Sequence, residues 1–511
     1  MRGSEVARDL LSRASPQLAR AATGREPARS TFGRSTGPGP ATMGATLPKA
    51  LTMLQLELPQ AWIEPGVPQS RRLLIDAGRI VAKGGEGATS QVLTGLALPG
   101  IPNLHSHAFQ RAMAGLAERR VAGQDDFWSW RETMYHFAGR VGPDELRVIA
   151  AQLYLEMLEQ GYTEVCEFHY LHQQPDGRPY ADPAAMSLAL IEAARDVGIG
   201  LTLLPVLYLS GHFDGRPLAE RQRRFSLGSV DGFLRLVEAL LPHESDRVRI
   251  GIALHSLRAV PPDALKAVLQ SFDDCRFVCP AGPRPIHLHI AEQVGEVADC
   301  VALRGARPVQ WLLDQVQVDE RWCLVHATHL DANEVAGLAA SGATVAICPT
   351  TEANLGDGLF PLRAYLDAGG RFGIGSDSHV STSPVEEWRW LEYGQRLQQR
   401  SRICAQDSEG RLAEPMLLQS LQAGGRVSRP DGGHAWAPGH RADVVMLDSD
   451  APELAVLPIE RQIDGWVFNG NRSLVRQVMV GGEWLVSDGR HRARELVQRR
   501  YVETCRGLMQ D

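Results

Sequence analysis

The sequence predicts an α/β fold: a (β/α)8 TIM barrel with a small β-sandwich domain formed from both terminal flanks. Eight short apolar runs between residues 98 and 376 have the character of strands, and amphipathic helical stretches separate most of them. This alternation favours a closed barrel of parallel strands over an open sheet. Strand-like segments also flank this region on both sides, and the 511 residues suffice for a large barrel and a smaller domain.

The barrel strands are predicted from their apolar runs, which parallel strands show because both of their faces are buried. Between the strands, residues 143–160 place Leu146, Ile149, Leu153 and Met157 at helical spacing. Residues 184–197 and 230–241 are predicted as further helices. The eight predicted strands are 98–105, 163–170, 199–209, 248–257, 285–291, 323–328, 344–350 and 371–376.

The flanks are predicted to form the β-domain. A hairpin is indicated where two apolar runs, 72–75 and 79–82, surround Asp76-Ala77-Gly78. Near the other end, residues 442–447 and 475–486 again have strand character. We therefore assign the β-domain to residues 49–95 and 437–490, the barrel to residues 96–436 and a closing C-terminal helix to residues 491–511.

Residues 1–48 are interpreted as a disordered leader outside the fold. They are rich in Arg, Ser, Gly, Pro and Ala and contain few acids. That composition also resembles an organellar transit peptide. A misassigned start, with Met43 or Met53 as the true first residue, remains an alternative.

Charge, hydropathy and cysteine usage exclude several classes of protein. The formal net charge of −7 argues against nucleic acid as a partner, because nucleic-acid binding needs a basic surface. No apolar stretch approaches the ~20 residues needed to span a membrane. Eight cysteines are scattered along the chain without a zinc-finger pattern. We expect a cytoplasmic protein with reduced thiols.

The most informative motif is Pro102-Asn103-Leu104-His105-Ser106-His107, which follows the first apolar run of the barrel. Residues at positions i and i+2 of a strand point to the same face. His105 and His107 therefore place two imidazoles side by side at a strand end. Such a pair alone is more often coincidental than functional, so a metal site requires further ligands from other parts of the chain.

Three further candidate ligands end or follow later apolar runs: His289, His326 and Asp377. The C-terminal ends of all strands meet at one face of a barrel, where the chemistry of this fold takes place. Imidazole nitrogens and a carboxylate suit Zn²⁺. His287 competes with His289, and His329 competes with His326; we prefer the residues that lie closest to the strand ends.

Glu292 follows His289 by three residues, so its carboxylate can reach a water molecule at the metal site and shuttle a proton. The alternative is a glutamate that merely stabilises the N-terminus of a helix. Strand 248–257 contains no Lys or Glu that could bridge two metals. The sequence therefore favours one metal ion per chain.

Several polar groups follow the predicted strand ends and can surround a substrate. Arg131 and Arg258 indicate a substrate with carboxylates, because a guanidinium group binds a carboxylate through two parallel hydrogen bonds. The candidate substrate-binding residues are Gln110, Arg131, Tyr170, His255 and Arg258.

These motifs resemble the amidohydrolase superfamily in its mononuclear deaminase branch. The resemblance becomes closer in four stretches, and there it points to deiminases that act on N-formimino-L-glutamate. It spans roughly residues 50–490, and departs in the leader and in the long segment 273–285. The four stretches are 102–116, 127–132, 289–293 and 348–358.

The resemblance implies one zinc ion per chain, held by His105, His107, His289 and Asp377. It implies that Asp377 and His326 assist in deprotonating and orienting the attacking water, and that Glu292 carries a proton to the leaving ammonia. It places the five candidate substrate-binding residues around a small dicarboxylate, and it implies a homodimer.

The activity implied by the resemblance is hydrolysis of the formimino group to N-formyl-L-glutamate and ammonia, a step in histidine degradation. Two alternatives stay open at this point. The first is a deaminase of a purine, pyrimidine or triazine ring, whose site would need aromatic stacking and amide contacts. The second is an inactive barrel that serves as a binding protein, which would require that metal ligands be lost.

Overall fold

The computed structural model describes residues 53–83, 88–118, 127–273, 277, 282–429 and 435–510. The predicted leader, residues 1–48, lies outside the described residues, as does part of the segment 273–285.

The N-terminal flank supplies the first five strands of a nine-stranded sheet. β1 pairs antiparallel with β2, and parallel with both β4 and β5. The turn between β2 and β3 contains Ala77 and Gly78, both at positive φ, as the hairpin prediction requires. The strands are β1 (Leu54–Ala61), β2 (Gln69–Asp76), β3 (Arg79–Ile80), β4 (Thr89–Val92) and β5 (Leu96–Pro99).

The middle of the chain forms the barrel and confirms the predicted fold class. Its strands run parallel in the order β14-β13-β12-β11-β10-β8-β7-β6, and β9 pairs with β8. A bridge between Ser106 and Asp377 joins the two ends of this order. The strands are β6 (Ile101–Ser106), β7 (Tyr162–His169), β8 (Gly200–Leu207), β9 (Val248–Ile250), β10 (Ile252–Ser256), β11 (Ile286–Ile290), β12 (Trp322–His326), β13 (Thr344–Ile347) and β14 (Arg371–Ile374).

The C-terminal flank returns to the first sheet and completes it. β15 pairs antiparallel with β5, so the two flanks form one sheet, with the order β18-β17-β16-β15-β5-β1-β2-β3 and β4 beside β1. The strands are β15 (Val444–Leu447), β16 (Val475–Val480), β17 (Glu483–Ser487) and β18 (Arg490–His491).

Fifteen α-helices occur in the described parts of the chain. Several begin as their sequences predict: α2 has Pro143 in its first turn, and the side chain of Glu145 accepts from the backbone N–H of Gly142 at 3.0 Å. The helices are α1 (Phe127–Ala138), α2 (Pro143–Glu159), α3 (Ala185–Val197), α4 (Val230–Leu240), α5 (Pro262–Phe272), α6 (Val294–Arg304), α7 (Pro308–Gln315), α8 (Ala332–Ser341), α9 (Pro349–Leu355), α10 (Leu362–Asp367), α11 (Pro384–Gln399), α12 (Ala413–Val427), α13 (Pro452–Ala455), α14 (Gln462–Phe468) and α15 (Arg494–Leu508).

The predicted fourth barrel strand, 248–257, is interrupted in the structure at Gly251. A Cβ atom at this position would lie 2.7 Å from Cγ of Pro285 and 2.8 Å from Cδ2 of Leu204. The neighbouring strands therefore approach too closely for any other residue. The interruption divides the run into β9 and β10, and only β10 reaches the end of the barrel where the candidate site lies.

In the nine-stranded sheet formed by the two flanks, alternate residues along a strand contribute to two separate hydrophobic cores. Along β15, Val444 and Met446 belong to a small apolar cluster within the flank, whereas Val445 and Leu447 join the large core of the barrel. This alternation follows from the two-residue period of a strand. Burial on both faces explains why all four residues are apolar.

A buried ion cluster lies where the flank meets the barrel. Arg441 approaches Glu164 of β7 at 2.8 Å and Asp443 at 2.7 Å, and Arg429 approaches Asp443 at 3.1 Å. All four side chains are almost completely buried. Removing one partner of such a cluster would leave an uncompensated buried charge, which typically costs about 3–5 kcal/mol.

None of the helices in the described residues combines the length and the apolar character that crossing a membrane requires. The six cysteines among these residues are unpaired and buried, whereas Cys275 and Cys279 lie outside the described residues.

Candidate metal centre and active site

Three histidine side chains converge at the C-terminal end of the barrel. The Nε2 atom of His105 lies 3.1 Å from Nε2 of His107 and 3.0 Å from Nε2 of His289. The Oδ1 atom of Asp377 lies 3.4 Å from Nε2 of both His105 and His107. All four side chains are buried. The structure therefore brings together the four residues that the sequence analysis names as ligands.

Hydrogen bonds behind two of the rings define which nitrogen faces the centre. The Nδ1 atom of His107 lies 2.8 Å from the carbonyl oxygen of Phe168, and Nδ1 of His289 lies 3.0 Å from that of His255. Since a carbonyl only accepts, each Nδ1 carries the proton, and each Nε2 of a neutral ring exposes a lone pair. Burial lowers the pKa of both rings, and it lowers the pKa of His105 well below its usual range.

This donor set fits a zinc ion. Ligand atoms about 2.0–2.1 Å from a tetrahedral metal are separated by about 3.3 Å. The observed separations of 3.0–3.4 Å match that spacing. The Nδ1 atom of His105 has no hydrogen-bond partner among the described residues. Neutral imidazoles and one carboxylate are ligands that suit Zn²⁺.

The backbone is strained at the strand ends that supply the site. His326 has a φ of +67°, Asp377 of +44° and Ala291 of +51°. These left-handed conformations are unfavourable for residues with a Cβ and cluster at functional sites. Gly375 permits the close approach of the last strand, because a Cβ there would lie 2.7 Å from Cβ of His105.

Glu292 and His326, for which the sequence predicts proton-transfer roles, lie next to the candidate metal ligands. The Nε2 atom of His326 lies 3.9 Å from Oε1 of Glu292 and 3.8 Å from Oδ2 of Asp377. Burial raises the pKa of Glu292, which keeps a proton available closer to neutral pH. Burial opposes a charged ring at His326, but Glu292, Glu352 and Asp377 together raise the pKa of His326 to about 10.

Three buried glutamates support this part of the structure, and the sequence analysis assigned no role to them. Glu167 accepts from Oγ of Ser106 at 2.6 Å and from N–H of Ala108 at 2.7 Å, which braces the first metal-binding strand. Glu296 accepts from the backbone N–H groups of residues 291 and 292, and Glu352 lies beside His326. Glu167 had a sequence signal, because it is an acid within a strand that is buried along its whole length.

A cavity opens directly onto the candidate metal centre, and its empty space, including the open solvent at its mouth, is about 610 Å³. Its polar lining includes all five candidate substrate-binding residues: Gln110, Arg131, Tyr170, His255 and Arg258. Its apolar lining comes from α1, α9 and the loops after β8: Trp130, Met134, Tyr135, Tyr208, Phe225 and Leu355. This aromatic wall was not predicted from the sequence.

The substrate-binding candidates are anchored differently. Gln110 donates through Nε2 to the hydroxyl of Tyr170 at 2.9 Å, so these two side chains fix one another. Arg258 is largely buried, and its Nε has no hydrogen-bond partner among the described residues. Burial opposes its charge, but Glu296 and Glu292 raise the pKa of Arg258. Arg131 extends from α1 with its guanidinium 5.3 Å from the ring centre of Tyr135.

His287 and His329, the alternatives to His289 and His326, lie outside this cluster of side chains. The Nε2 atom of His287 lies 3.3 Å from the carbonyl oxygen of Val427, one layer below the centre. His329 lines a separate surface pocket with Val294 and Arg307. Neither residue contributes to the histidine and aspartate clusters that could hold a metal among the described residues.

The amidohydrolase family model matches residues 96–485, which include every residue of this site. The chain belongs to the amidohydrolase family. A formimidoylglutamate deiminase from Pseudomonas aeruginosa is 48% identical over 460 residues, covering 88% of this chain and 98% of that enzyme. The cluster of histidines and Asp377 gives this member of the family a site capable of holding a metal ion.

Solved structures agree with this assignment of the fold. An amidohydrolase from Brucella melitensis superposes with a TM-score of 0.77 at 40% sequence identity, over 90% of this chain and all of that chain. An adenosine deaminase from Xanthomonas campestris, solved with bound zinc, superposes with a TM-score of 0.72 at 19% identity. It covers 89% of this chain and 98% of its own, and at that identity it supports the fold alone.

Proposed function

We propose that this amidohydrolase hydrolyses the formimino group of N-formimino-L-glutamate to N-formyl-L-glutamate and ammonia, with one zinc ion per chain. The observation that carries the proposal is the presence of two guanidinium groups, Arg131 and Arg258, in the cavity that opens onto the metal centre. Two cations suit a substrate with two carboxylates. The close relative named formimidoylglutamate deiminase supports the same substrate.

His105, His107, His289 and Asp377 would hold the zinc ion, and the two hydrogen-bonded rings, His107 and His289, are already oriented for that role. When bound, such an ion supplies Lewis acidity, which lowers the pKa of a water molecule from about 15.7 to about 7.

Side chains of the protein then transfer the protons. Asp377 and His326 lie side by side at the reaction centre, with Oδ2 of Asp377 and Nε2 of His326 3.8 Å apart. Asp377 can accept the first proton of the attacking water, and His326, whose pKa is raised, can orient that water by donating a hydrogen bond. Glu292, with its raised pKa, holds a proton on the same side of the cavity and donates it to the departing nitrogen. The water oxygen bonds to the carbon of the cationic formimino group as its C=N π bond opens onto nitrogen. The C–N bond then breaks as Glu292 protonates that nitrogen, and the remaining O–H proton passes back to Glu292, which leaves the formyl carbonyl and releases ammonia.

The other end of the cavity would orient the substrate. Arg258 and Arg131 each pair with one carboxylate, and the Tyr170–Gln110 pair supplies further hydrogen-bonding groups beside His107. His255 stays neutral, because burial and then Arg258 lower its pKa well below the usual range. A neutral ring can accept from the substrate without repelling a cationic formimino group.

One observation favours a second candidate, a deaminase of a heterocyclic ring. The aromatic side chains of Trp130, Tyr135, Tyr208 and Phe225 line the cavity and could stack on a flat ring. The two arginines argue against it, because an uncharged ring offers neither guanidinium group a carboxylate to bind.

The deciding experiment measures ammonia release by the purified, zinc-loaded protein from a panel of substrates. We expect turnover of N-formimino-L-glutamate and formation of N-formyl-L-glutamate, with little turnover of adenosine, guanine or cytosine. An Asp377→Asn variant provides the inactive background. Preference for a ring substrate would replace the first proposal with the second, and no turnover of any substrate by folded, metal-loaded protein would contradict both.

We further propose that the enzyme is a cytoplasmic homodimer and that its reaction belongs to histidine degradation. Light scattering on the purified protein tests the dimer, and cell fractionation tests the compartment. Growth on histidine as the nitrogen source, with and without the gene, tests the pathway.

A further inference from the structure

The segment Cys348–Gly358 is a distinctive motif of the sequence, yet within it only Leu355 lines the cavity. The segment contains α9, which packs behind the proton-transfer residues. Oε1 of its Glu352 lies 3.3 Å from Nδ1 of His326, and its Asp357 accepts from the side-chain amide of Gln293, beside Glu292. The motif therefore places carboxylates behind the reacting groups and not among them.

Glu352 is fixed in place. Its side chain is only 4% exposed, and the same Oε1 accepts from the backbone N–H of Cys348 at 3.0 Å. An ionised carboxylate carries no proton, so Nδ1 of His326 is the donor in their contact. Nε2 is then the ring atom that faces the cavity, on the side of Glu292 and Asp377.

The backbone at His326 explains why the ring needs such a partner. Its φ of +67° takes the residue out of the regular conformation of β12, so the pleat of the strand does not set the direction of the ring. The adjacent Ala327 is also left-handed, at +49°. The carboxylate of Glu352 is a hydrogen-bonding group behind the ring that can define both its rotation and its tautomer.

We propose that Glu352 is a positioning residue for the reaction: it holds His326 with Nδ1–H toward α9 and Nε2 toward the reacting group. The inference rests on the proposed function, because His326 acts on the water and formimino group there. Carboxylates that orient a functional histidine from behind typically change activity by about 10–100-fold when they are replaced.

The test compares Glu352→Gln with Glu387→Gln. Glu387 accepts from the backbone N–H of Thr350 at 3.0 Å and from its hydroxyl at 2.7 Å, so it supports the same helix without touching His326. Glu352→Gln should lower kcat for N-formimino-L-glutamate by about 30-fold, with KM within about threefold and zinc content unchanged. Glu387→Gln should keep kcat within about threefold of wild type.

A second measurement does not depend on activity. Histidine-selective ¹⁵N labelling reports which ring nitrogen carries the proton, and the signal of His326 is identified by its loss in His326→Asn. In the neutral form of the ring, reached by raising the pH, the wild type should show the proton on Nδ1, and Glu352→Gln should shift it wholly or partly to Nε2, because the amide can donate to Nδ1. If the wild type turns over no formimino substrate, the proposed function fails while this measurement still tests the positioning role.

Two results would overturn the inference. The first is an equal loss of kcat in Glu352→Gln and Glu387→Gln, which would assign the effect to the stability of α9. The second is an unchanged tautomer of His326 in Glu352→Gln, whatever the effect on kcat.

Discussion

His105 and His289 are 184 residues apart in the sequence, yet their Nε2 atoms lie 3.0 Å apart. His107 approaches the same Nε2 of His105 at 3.1 Å. Without a proton on that atom, both contacts oppose two lone pairs, and with one, the proton can be directed at only one of the two rings. A cation among the three rings and Asp377 would turn this repulsion into ligation.

We therefore expect about one zinc ion per chain in the purified protein, measured by elemental analysis after dialysis. His289→Ala should retain less than about a tenth of that zinc, because it removes one of the donors. His287→Gln is the matched control: it changes the neighbouring histidine of the same strand, whose ring bonds to Val427, and should retain the metal. Two zinc ions per chain, or none in folded protein, would contradict the assignment.

Replacement of Glu292 separates catalysis from helix stability. Glu292→Gln should lower kcat by about 100-fold or more at an unchanged zinc content, since it removes the group that carries the proton. If Glu292 served only the N-terminus of α6, the variant would instead lose about 0.3–1 kcal/mol of stability and keep its kcat. Steady-state kinetics together with thermal unfolding distinguish these outcomes.

The strands of the barrel were predictable from the sequence because parallel strands with two buried faces form apolar runs. The residues at which these strands begin and end depended on tertiary contacts. The break falls at Gly251, where Pro285 and Leu204 approach too closely for a Cβ atom, and no local pattern contains that approach. The first barrel strand begins at Ile101, three residues later than predicted, because Leu96–Pro99 pairs with β15 of the flank.

The convergence of the candidate metal ligands was predictable because strand ends in a barrel share one face. The side chains that hold these residues in place were not predictable, since each acts through a contact between distant segments of the chain. Glu352 reaches His326 from α9, and Glu167 reaches Ser106 and Ala108 from the neighbouring strand. The aromatic wall likewise needs α1 and the segment around Phe225 to meet, as the stacked rings of Tyr135 and Phe225 do.

The buried ring of His172 should make the stability of the protein depend on pH. Burial lowers its pKa from 6.5 to about 4, helped by Arg224, although its Nε2 donates to the carbonyl oxygen of Val206 at 2.9 Å. Between pH 4 and 6.5 the unfolded chain binds the additional proton, so stability is full above pH 6.5 and is lost as the pH falls toward 4, by about 3 kcal/mol.

His172→Gln tests this dependence, because the amide can still donate to Val206 but does not titrate. Melting temperatures of both proteins are measured from pH 4 to pH 8 at a constant zinc concentration. The variant should be less stable than the wild type at pH 8, and the difference should shrink as the pH falls. If the melting temperatures of the two proteins instead change in parallel with pH, His172 does not contribute to the acid sensitivity.

The last prediction concerns Arg258 and the choice of a dicarboxylate. In the partly dry cavity, loss of this guanidinium would leave one substrate carboxylate without its partner, which costs about 2–5 kcal/mol by analogy with buried charge pairs. Arg258→Met should therefore reduce kcat/KM for N-formimino-L-glutamate by about 30-fold or more, and should keep the zinc. For N-formimino-glycine, which has one carboxylate, the wild type should already be much slower. Arg304→Met is the matched control, since Arg304 donates to the carbonyl oxygen of Leu257, next to Arg258, and does not line the cavity. Equal turnover of both substrates by the wild type would exclude a dicarboxylate pocket while leaving the metal-dependent deaminase intact.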